Sequence, residues 1–436
     1  MLYVKPIFIF GKYPRFIKSD YSGFERNINK SFVMNKAKEL ELQLRQCLED
    51  ADTKLLEPTL VFDEEEVNEA LKDSSDLILI CKFCIGLTKS LEKLLNLQVP
   101  ILLFGESKVP YLALDAYEYL YDKGDVHVAL DYEDLKAKVK VYELQKSLCN
   151  TKVLALCTDL PAYEQVAALR NPSSEQIMER FGIQVEHVKH AELVEKWNQI
   201  HEEAVDLAKE WLHEATRIVE PIENDLVLEA KLYLAVKRLI KEHSAAAVTM
   251  VCSDQVLPLP VGCFAFAKMR DEGIPAGCEA DLPSLLMLLL VQKLCRKPAF
   301  MGNVIVANPE ENTVAISHCA MPFKMAGFDV EPKRYELRDY HGLKFAGSLT
   351  AYYPLENGQT VTLVRMDRNL TAICAKTGVI VDCKEGFSCR TTLIIRISNV
   401  RDFVNKTLGN HQIVVFGDWM KKLEDASEIF GMRFIK

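Results

Sequence analysis

The chain has 436 residues, of which 49% are hydrophobic and 26% are charged, and its formal net charge is -9. This length gives material for two or three domains with buried cores, and the composition is that of an ordinary soluble globular protein. The acidic balance argues against a general nucleic-acid binder, because it offers no broad surface that neutralises phosphates.

The N-terminal sequence MLYVKPIFIF predicts a first β-strand rather than a signal peptide, because it lacks a basic lead, a longer apolar run and a small-residue cleavage site. The longest apolar run, residues 282–290, is shorter than the roughly 20 residues of a membrane span. Thirteen cysteines, an odd number, are scattered through apolar segments. Without an export signal, these features predict a cytoplasmic protein with reduced thiols and no membrane partner.

One cysteine pair, Cys81 and Cys84, has the spacing of a metal-binding or redox motif. A structural zinc site would need a second such pair, and none follows in the sequence. The pair lies at the end of an apolar strand, which leaves redox chemistry open. Burial as inert thiols is the favoured interpretation, because free cysteine is among the most often buried residues.

Residues 1–150 alternate apolar strands with polar helices, the pattern of right-handed βαβ units in a mostly parallel sheet. No GxGxxG or GxxxxGK[ST] sequence occurs, so neither common type of nucleotide site is predicted. Residues 151–298 repeat the alternation. The predicted strands lie at 2–10, 59–62, 76–81, 100–104, 152–161 with its following turn, 184–188 and 245–252, and the predicted helices at 35–50, 64–72, 88–95, 132–148, 173–181, 192–219 (one helix or a pair) and 225–243.

After Pro322 the pattern changes to alternating polar and apolar residues with turn signals at 356–358 and 376–378, which predicts antiparallel strands in a small barrel or sandwich. The predicted fold class is therefore α/β. Two doubly wound parallel-sheet domains, at 1–150 and 151–298, precede a β-rich, barrel-like C-terminal domain at 299–436.

The strongest candidate site lies in residues 277–322, where polar residues stand at the ends of predicted elements. Glu279 and Asp281 precede a strongly apolar helix, Asn303 lies on the following strand, and His318 ends the strand after that. Side chains at element ends of separate segments can converge on one ligand. Carboxylate and imidazole ligands with open coordination positions suit Mn²⁺ or another divalent ion.

Each of these residues also has a structural interpretation. Acids such as Glu279 are favoured in the first turn of a helix through the helix dipole. His318 can pack beneath the C-terminal domain as an ordinary strand-end histidine, and His411, in a Gly-Asn-His turn, can be an ordinary loop residue. Because Glu279 precedes an almost wholly apolar helix, the sequence nevertheless favours a functional position for it in a cleft.

The segments CEADLPSLLMLLL and KPAFMGNVIVANPEENTVAISHC resemble the core of the L-fucose and L-arabinose isomerases. YYPLENGQTVTLVRM, GFSCRTT and GNHQIVVFGDW fit the C-terminal domain of that family, although the N-terminal domain carries no family motif. The resemblance implies a compact L-fucose isomerase-like enzyme that interconverts aldoses and ketoses on a divalent metal, usually manganese. It also implies a homo-oligomer, a trimer or hexamer, with sites completed across subunits.

The resemblance implies that Glu279 ligates the metal and transfers protons, and that His318 and His411 are further metal ligands. Asn303 stands where the family has a second acid. An amide can bind a metal through its oxygen but cannot take a proton at neutral pH. Either Asp281 acts as the second catalytic acid, or the correspondence shifts, or the reaction differs. Asp281 is otherwise a helix cap or a partner behind the metal ligands.

Three basic residues are candidates to bind substrate. Lys12 and Arg15 follow the first strand and can reach a substrate or a neighbouring subunit, with solvated surface as the structural alternative. Arg390 can bind a charged sugar or instead pair with an acid. The monosaccharide substrate implied is a deoxyhexose, a pentose or an anionic, sulfonated hexose. The alternative function is a catalytically altered sugar-binding or regulatory relative, which Asn303 supports.

Overall fold

The computed structural model describes residues 1–16, 18, 23–70, 72, 74–105, 111–340, 348–386 and 389–436. Residue 71 of a predicted helix, and residues 341–347 and 387–388 of the predicted β-rich region, lie outside this part. The chain forms two compact units, Met1–Lys146 and Ser147–Lys436. The three-domain division at 150 and 298 stays a prediction.

The first unit is built on a parallel sheet. Its elements are β1 (Leu2–Ile9), α1 (Lys30–Leu48), β2 (Thr53–Leu55), β3 (Thr59–Val61), α2 (Glu64–Ala70), β4 (Leu77–Lys82), a 3-10 helix (Lys89–Leu97), β5 (Ile101–Phe104), α3 (Tyr111–Leu120), β6 (Val126–Ala129) and α4 (Tyr132–Leu148). The strand order is β2-β1-β4-β5-β6, and β3 pairs with the second half of β1. Every residue of β4 is buried, as expected for an apolar strand inside a parallel sheet.

The order of the strands in this sheet reverses between β1 and β4, which opens a crevice at their carboxyl ends. A cavity of about 730 Å³ lies there, and its lining includes Lys12, Arg15, Asp63 and Cys84. Cys84 and the neighbouring Cys81 are both buried, and burial raises the pKa of the Cys84 thiol. None of the thirteen cysteines, all of which lie in the described part, forms a disulfide.

The second unit begins with a smaller parallel sheet. Its elements are β7 (Lys152–Leu156), α5 (Pro161–Arg170), α6 (Ser174–Phe181), β8 (Gln184–Val188), α7 (His190–Asn198), α8 (Glu202–Glu214), β9 (Ala215–Ile218), α9 (Glu223–His243), β10 (Ala245–Met250), a 3-10 helix (Asp254–Val256), α10 (Cys263–Asp271), β11 (Ala276–Gly277) and α11 (Leu282–Cys295). The sheet has the order β11-β10-β7-β8. α11 is apolar on all sides and almost wholly buried, the usual position of such a helix. Among the described residues, no helix combines the length and apolarity needed to cross a membrane.

The rest of the second unit is dominated by a closed antiparallel barrel. Its elements are β12 (Phe300–Asn308), β13 (Thr313–His318), β14 (Tyr335–Asp339), β15 (Leu349–Tyr352), β16 (Thr360–Met366), β17 (Ala372–Lys384), β18 (Thr391–Ile397), α12 (Val400–Lys406), β19 (His411–Phe416), α13 (Met420–Ile429) and β20 (Arg433–Ile435). The six strands β16-β19-β12-β13-β18-β17 close through pairing of β17 with β16, and β20 extends β17 in parallel. α11 packs against β16 and β19, which brings the start of this helix to the barrel. The predicted fold class is confirmed.

A further three-stranded sheet, β15-β14-β9, was not predicted. The stretch 192–219, predicted as helix, contains α7 and α8 but ends in β9, which pairs in parallel with β14. Residues 215–218 have no strand partner near in sequence, so local periodicity did not reveal this strand.

Candidate metal centre

Glu279 lies in a tight turn between β11 and α11. Glu279 and Ala280 both adopt left-handed backbone angles, with φ of 57° and 52°, which costs residues with a β-carbon roughly 1 kcal/mol or more each. The Ala280 amide donates to Met250 O at 3.0 Å. Asn171 binds the turn on both sides, because its Nδ2 donates to Ala280 O at 2.8 Å and its Oδ1 accepts from Leu282 N at 2.9 Å. These contacts hold the strained turn and leave the Glu279 side chain 29% exposed.

Asp281 caps α11 and is fully buried. Its Oδ1 accepts a hydrogen bond from Ser284 N at 2.9 Å, and its Oδ2 lies 2.9 Å from Arg365 Nη1. Arg365, from β16, also donates to Ser284 Oγ and to the backbone carbonyl of His411. Sequence analysis missed Arg365; the one available signal was a charged residue inside the apolar strand TLVRM.

Two histidines from the barrel flank the Glu279 carboxylate. His411 begins β19, and its Nε2 lies 3.3 Å from Glu279 Oε2 while its Nδ1 lies 2.8 Å from Asp281 Oδ2. His318 ends β13, and its Nε2 lies 3.5 Å from Glu279 Oε1. Both imidazoles are buried, with their ring centroids 6.0 Å apart. Residues far apart in sequence therefore meet at one carboxylate.

The arrangement fits a divalent cation. One ligand atom from each of Glu279, His318 and His411 lies within 4.8 Å of the other two. Both ring nitrogens of His318 and Nε2 of His411 are buried without a hydrogen-bond partner of good geometry, which is costly unless another group satisfies them. Two imidazoles and one carboxylate form a ligand set that divalent transition metals accept, with coordination positions left open.

Burial and neighbouring charges act in opposite directions on the pKa values of the two acids, Glu279 and Asp281. Burial of the Glu279 carboxyl opposes its ionisation, but His318 and His411 outweigh burial and hold the pKa of Glu279 well below its usual range. Burial likewise disfavours the Asp281 carboxylate, but His411 and Arg365 lower its pKa well below the usual range. Both acids are therefore carboxylates at neutral pH.

The pKa values of the two imidazoles, His318 and His411, are shifted upward instead. Burial disfavours both imidazolium ions, but Asp281 and Glu279 raise the pKa of His411, and Cys278 and Glu279 raise the pKa of His318. A bound divalent cation would replace these imidazolium protons, because a histidine ligates metal in its neutral form.

Two more side chains near Glu279 were missed by sequence analysis. Arg170, at the end of α5, places its Nη1 3.1 Å from Glu279 Oε2. Cys278 is buried, and Arg270 Nη2 donates to its Sγ at 3.3 Å. Burial disfavours the Cys278 thiolate, but the charges of His318 and Arg270 lower the pKa of this thiol to about 7.

Asn303 lies beside this group. In the barrel register it is directly opposite His411 on β19 and opposite Ser317 on β13. Its Oδ1 accepts a hydrogen bond from Asn410 Nδ2 at 2.7 Å. The atom through which an amide ligates metal thus already accepts one hydrogen bond, and the role of Asn303 as a ligand stays a prediction.

The three basic candidates for substrate binding lie in different surroundings. Arg390 belongs to an ionic network in which its Nη1 lies 2.7 Å from Glu385 Oε1, its Nε donates to Asp339 O at 2.9 Å, and its Nη2 contacts Asp339 Oδ1. Arg390 is therefore paired with acids in this structure. Lys12 and Arg15 are exposed and line the cavity of the first unit.

Comparison with known proteins gives one informative similarity. No family model matches the chain. A sulfoquinovose isomerase from Clostridium sp. (strain MSTE9) is 25% identical over 148 residues, which cover 33% of this chain and 33% of that protein. The similarity is thus to a sugar isomerase and spans about a third of its length.

Proposed function

We propose that this protein is a divalent-metal-dependent aldose–ketose isomerase. The observation that carries the proposal is the convergence of Glu279, His318 and His411 within 4.8 Å, with imidazole nitrogens that lack good partners. The partial similarity to a sulfoquinovose isomerase supports the same class of reaction.

Glu279, His318 and His411 would hold the metal, and Mn²⁺ is the ion we propose. When bound, such a cation polarises a sugar carbonyl and the hydroxyl on the adjacent carbon. The hydrogen on that hydroxyl-bearing carbon, C2 of an aldose, then becomes more acidic. Asn303 is a further candidate ligand through the second lone pair of Oδ1, which also accepts the hydrogen bond from Asn410.

Glu279 is proposed as the base that moves the proton. Conversion of an aldose to a ketose moves one proton from C2 to C1 and a hydroxyl proton from O2 to O1, with no net oxidation. The Glu279 carboxylate is ionised and partly exposed, so it can accept the C2 proton and return it to C1.

Asp281 is proposed to position His411 rather than to transfer protons. Its Oδ1 is bound to Ser284 N, its Oδ2 is shared by His411 and Arg365, and its side chain has no exposed surface. A carboxylate with both oxygens engaged in this way has no access to substrate. It instead holds the His411 ring so that Nε2 faces Glu279.

The substrate is proposed to be a deoxyhexose, a pentose or a sulfonated hexose. Lys12 and Arg15 are proposed to bind the sugar in a homo-oligomer, a trimer or hexamer, whose sites are completed across subunits. They line the cavity of about 730 Å³ in the first unit, and its lining carries charges of both signs. For Arg390 a role toward substrate would require release from Glu385 and Asp339.

Solvent deuterium exchange tests the proposal. Mn²⁺-loaded protein in D₂O is incubated with a panel of neutral and sulfonated aldoses, and deuterium at C1 of the ketose or C2 of the aldose is followed by NMR. Glu279→Gln is expected to abolish exchange, whereas Glu310→Gln, at an exposed turn residue, keeps it. Isomerisation without deuterium incorporation would contradict Glu279 as base, and no exchange or isomerisation of any sugar by the wild type would contradict the isomerase itself.

A sugar-binding or regulatory protein is the second candidate, because Asn303 cannot replace a catalytic acid. It predicts saturable sugar binding by calorimetry in the absence of any deuterium incorporation. Exchange at C1 or C2 excludes this second candidate.

A further inference from the structure

Arg170 contacts the carboxylate that is central to the proposed reaction. Its Nη1 lies 3.1 Å from Glu279 Oε2, and its side chain is 36% exposed. Asn171, the next residue, binds Ala280 O and Leu282 N, the two groups that follow Glu279 in the turn. One segment therefore fixes both the base and the arginine, so their proximity is built into the backbone.

Other arginines around this group are committed to structural contacts. Arg365 is 4% exposed and binds Asp281, while Arg270 is fully buried and donates to Ala276 O and Ala320 O. Arg390 is held by acids of its own network. Arg170 differs from them, because it is partly exposed and its partner is the proposed catalytic carboxylate.

Enolisation of a sugar creates negative charge on the oxygens at C1 and C2, next to the carbon from which the proton is taken. Glu279 must approach these carbons to act as base, so a guanidinium 3.1 Å from its Oε2 lies at the same end of the substrate. The distal substituents of the sugar lie at the other end of the carbon chain. A cation bound to Glu279 would also weaken the interaction of this carboxylate with Arg170. The N–H groups of Arg170 would then be available to bind the substrate.

We propose that Arg170 is a catalytic residue that donates hydrogen bonds to the oxyanion developing at C1 and C2. This inference rests on the proposed isomerase function. It gives the site a positive group toward the charge that develops on the substrate, which the neutral amide of Asn303 does not supply. Arg170 stabilises the charge and Glu279 moves the proton.

Glycolohydroxamate tests this role without knowledge of the sugar, because it mimics a two-carbon enediolate and has no distal substituent. Its affinity for Mn²⁺-loaded protein is measured by calorimetry, and Mn²⁺ affinity itself by electron paramagnetic resonance. Arg170→Gln is expected to weaken hydroxamate binding by about 10- to 100-fold, the scale of a charge-assisted hydrogen bond. Mn²⁺ affinity is expected to equal or exceed that of the wild type, since a competing cation for Glu279 is removed.

Two variants provide controls. Arg170→Lys keeps the charge and should recover part of the affinity, whereas Arg238→Gln, which removes a partly exposed arginine paired with Glu203, should bind like the wild type. With the sugar that the wild type exchanges, Arg170→Gln should lower kcat far more than it raises KM.

Unchanged hydroxamate affinity in Arg170→Gln overturns the proposal, and so does loss of Mn²⁺ binding, which would make Arg170 a structural residue of the turn. A rise in KM confined to sulfonated sugars, with normal hydroxamate affinity, would assign Arg170 to a distal anion and also overturn it. These outcomes leave the isomerase proposal standing wherever the wild type exchanges deuterium. A wild type that neither binds hydroxamate nor exchanges any sugar overturns both.

Discussion

Asp281 and His411 form a buried pair in which Asp281 Oδ2 lies 2.8 Å from His411 Nδ1. An ionised carboxylate only accepts hydrogen bonds, so Nδ1 carries the proton and donates it. This fixes the tautomer of a neutral His411 and leaves the lone pair of Nε2 directed toward Glu279, 3.3 Å away. A partner of this kind orients a metal-ligating histidine and raises its basicity.

Replacement of Asp281 by Asn should therefore weaken the proposed metal site. The loss of a carboxylate behind a ligating histidine typically costs about 10- to 100-fold in metal affinity. Mn²⁺ titration by electron paramagnetic resonance measures the effect. Because Asp281 also caps α11, Ser173→Ala serves as control: it removes the cap of α6, where Ser173 Oγ accepts from Gln176 N. Equal Mn²⁺ affinity in Asp281→Asn and the wild type would contradict the proposed positioning role.

Arg365 should matter for stability more than for chemistry. Arg365→Met leaves the fully buried Asp281 carboxylate without its guanidinium partner, and breaking a buried ion pair costs about 3–5 kcal/mol. In the control Arg217→Met, the pair with Glu336 is 64% exposed on the arginine side, so less than about 1 kcal/mol is expected. Urea denaturation measures both free energies of unfolding. Similar losses in the two variants would show that burial of the Asp281–Arg365 pair has no special importance.

Much of the fold followed from local sequence patterns. The strand predicted at 2–10 is β1, Leu2–Ile9, and the strand predicted to end at His318 is β13, Thr313–His318. Apolar alternation and turn residues act within a few positions, so they can be read without knowledge of distant segments. Closure of the barrel and the order of its strands depend on long-range pairing, and only its β-rich character was predicted.

The candidate site was predicted less completely. Glu279, His318 and His411 do converge, but Arg365 meets Asp281 across 84 residues and Arg170 meets Glu279 across 109. Nothing local distinguishes these arginines from others in the chain, because their importance comes from the carboxylate that each one meets. The proposed roles of Asp281 and Arg170 thus required three-dimensional contacts.

Metal affinity should rise with pH through and above the ordinary histidine range. His318 and His411 have raised pKa values in the metal-free protein, so a metal must displace two tightly held protons at low pH. A histidine whose pKa is higher in the folded protein than in the unfolded chain stabilises the metal-free fold. This stabilisation is fully present below the pKa of the unfolded chain, near pH 6.5. It is lost as the pH rises through the pKa of the folded protein.

Thermal unfolding with chelator and with Mn²⁺ measures both effects. The metal-free Tm is expected to fall as the pH rises above about 6.5, while the gap between metal-loaded and metal-free Tm widens. His411→Gln should flatten both trends, and the control His213→Gln, at an exposed histidine on α8, should reproduce the wild type. An Mn²⁺ affinity that is constant across this range would contradict the assignment of the histidines as ligands.

Glu229, on α9, gives the chain a second pH dependence away from the candidate metal centre. The side chain is completely buried, and its Oε1 accepts from Ala265 N at 3.0 Å near the start of α10. Burial raises the pKa of this carboxyl to about 8, although backbone N–H groups oppose the rise. The folded protein then binds the proton more tightly than the unfolded chain. The contribution of Glu229 to stability is fully present below the ordinary carboxyl pKa of 4.5 and is lost as the pH rises toward 8.

Glu229→Gln should remove this dependence, because an amide keeps the carbonyl acceptor for Ala265 N and carries no charge. At pH 8 the variant is expected to be more stable than the wild type by about 1–3 kcal/mol, since the buried carboxylate no longer forms. At pH 5 the two should unfold with similar free energies. Urea denaturation at both pH values measures the difference, with Glu310→Gln as the exposed control. Equal stability of Glu229→Gln and the wild type at pH 8 would mean that the buried carboxyl ionises without penalty, against the expected direction of its pKa.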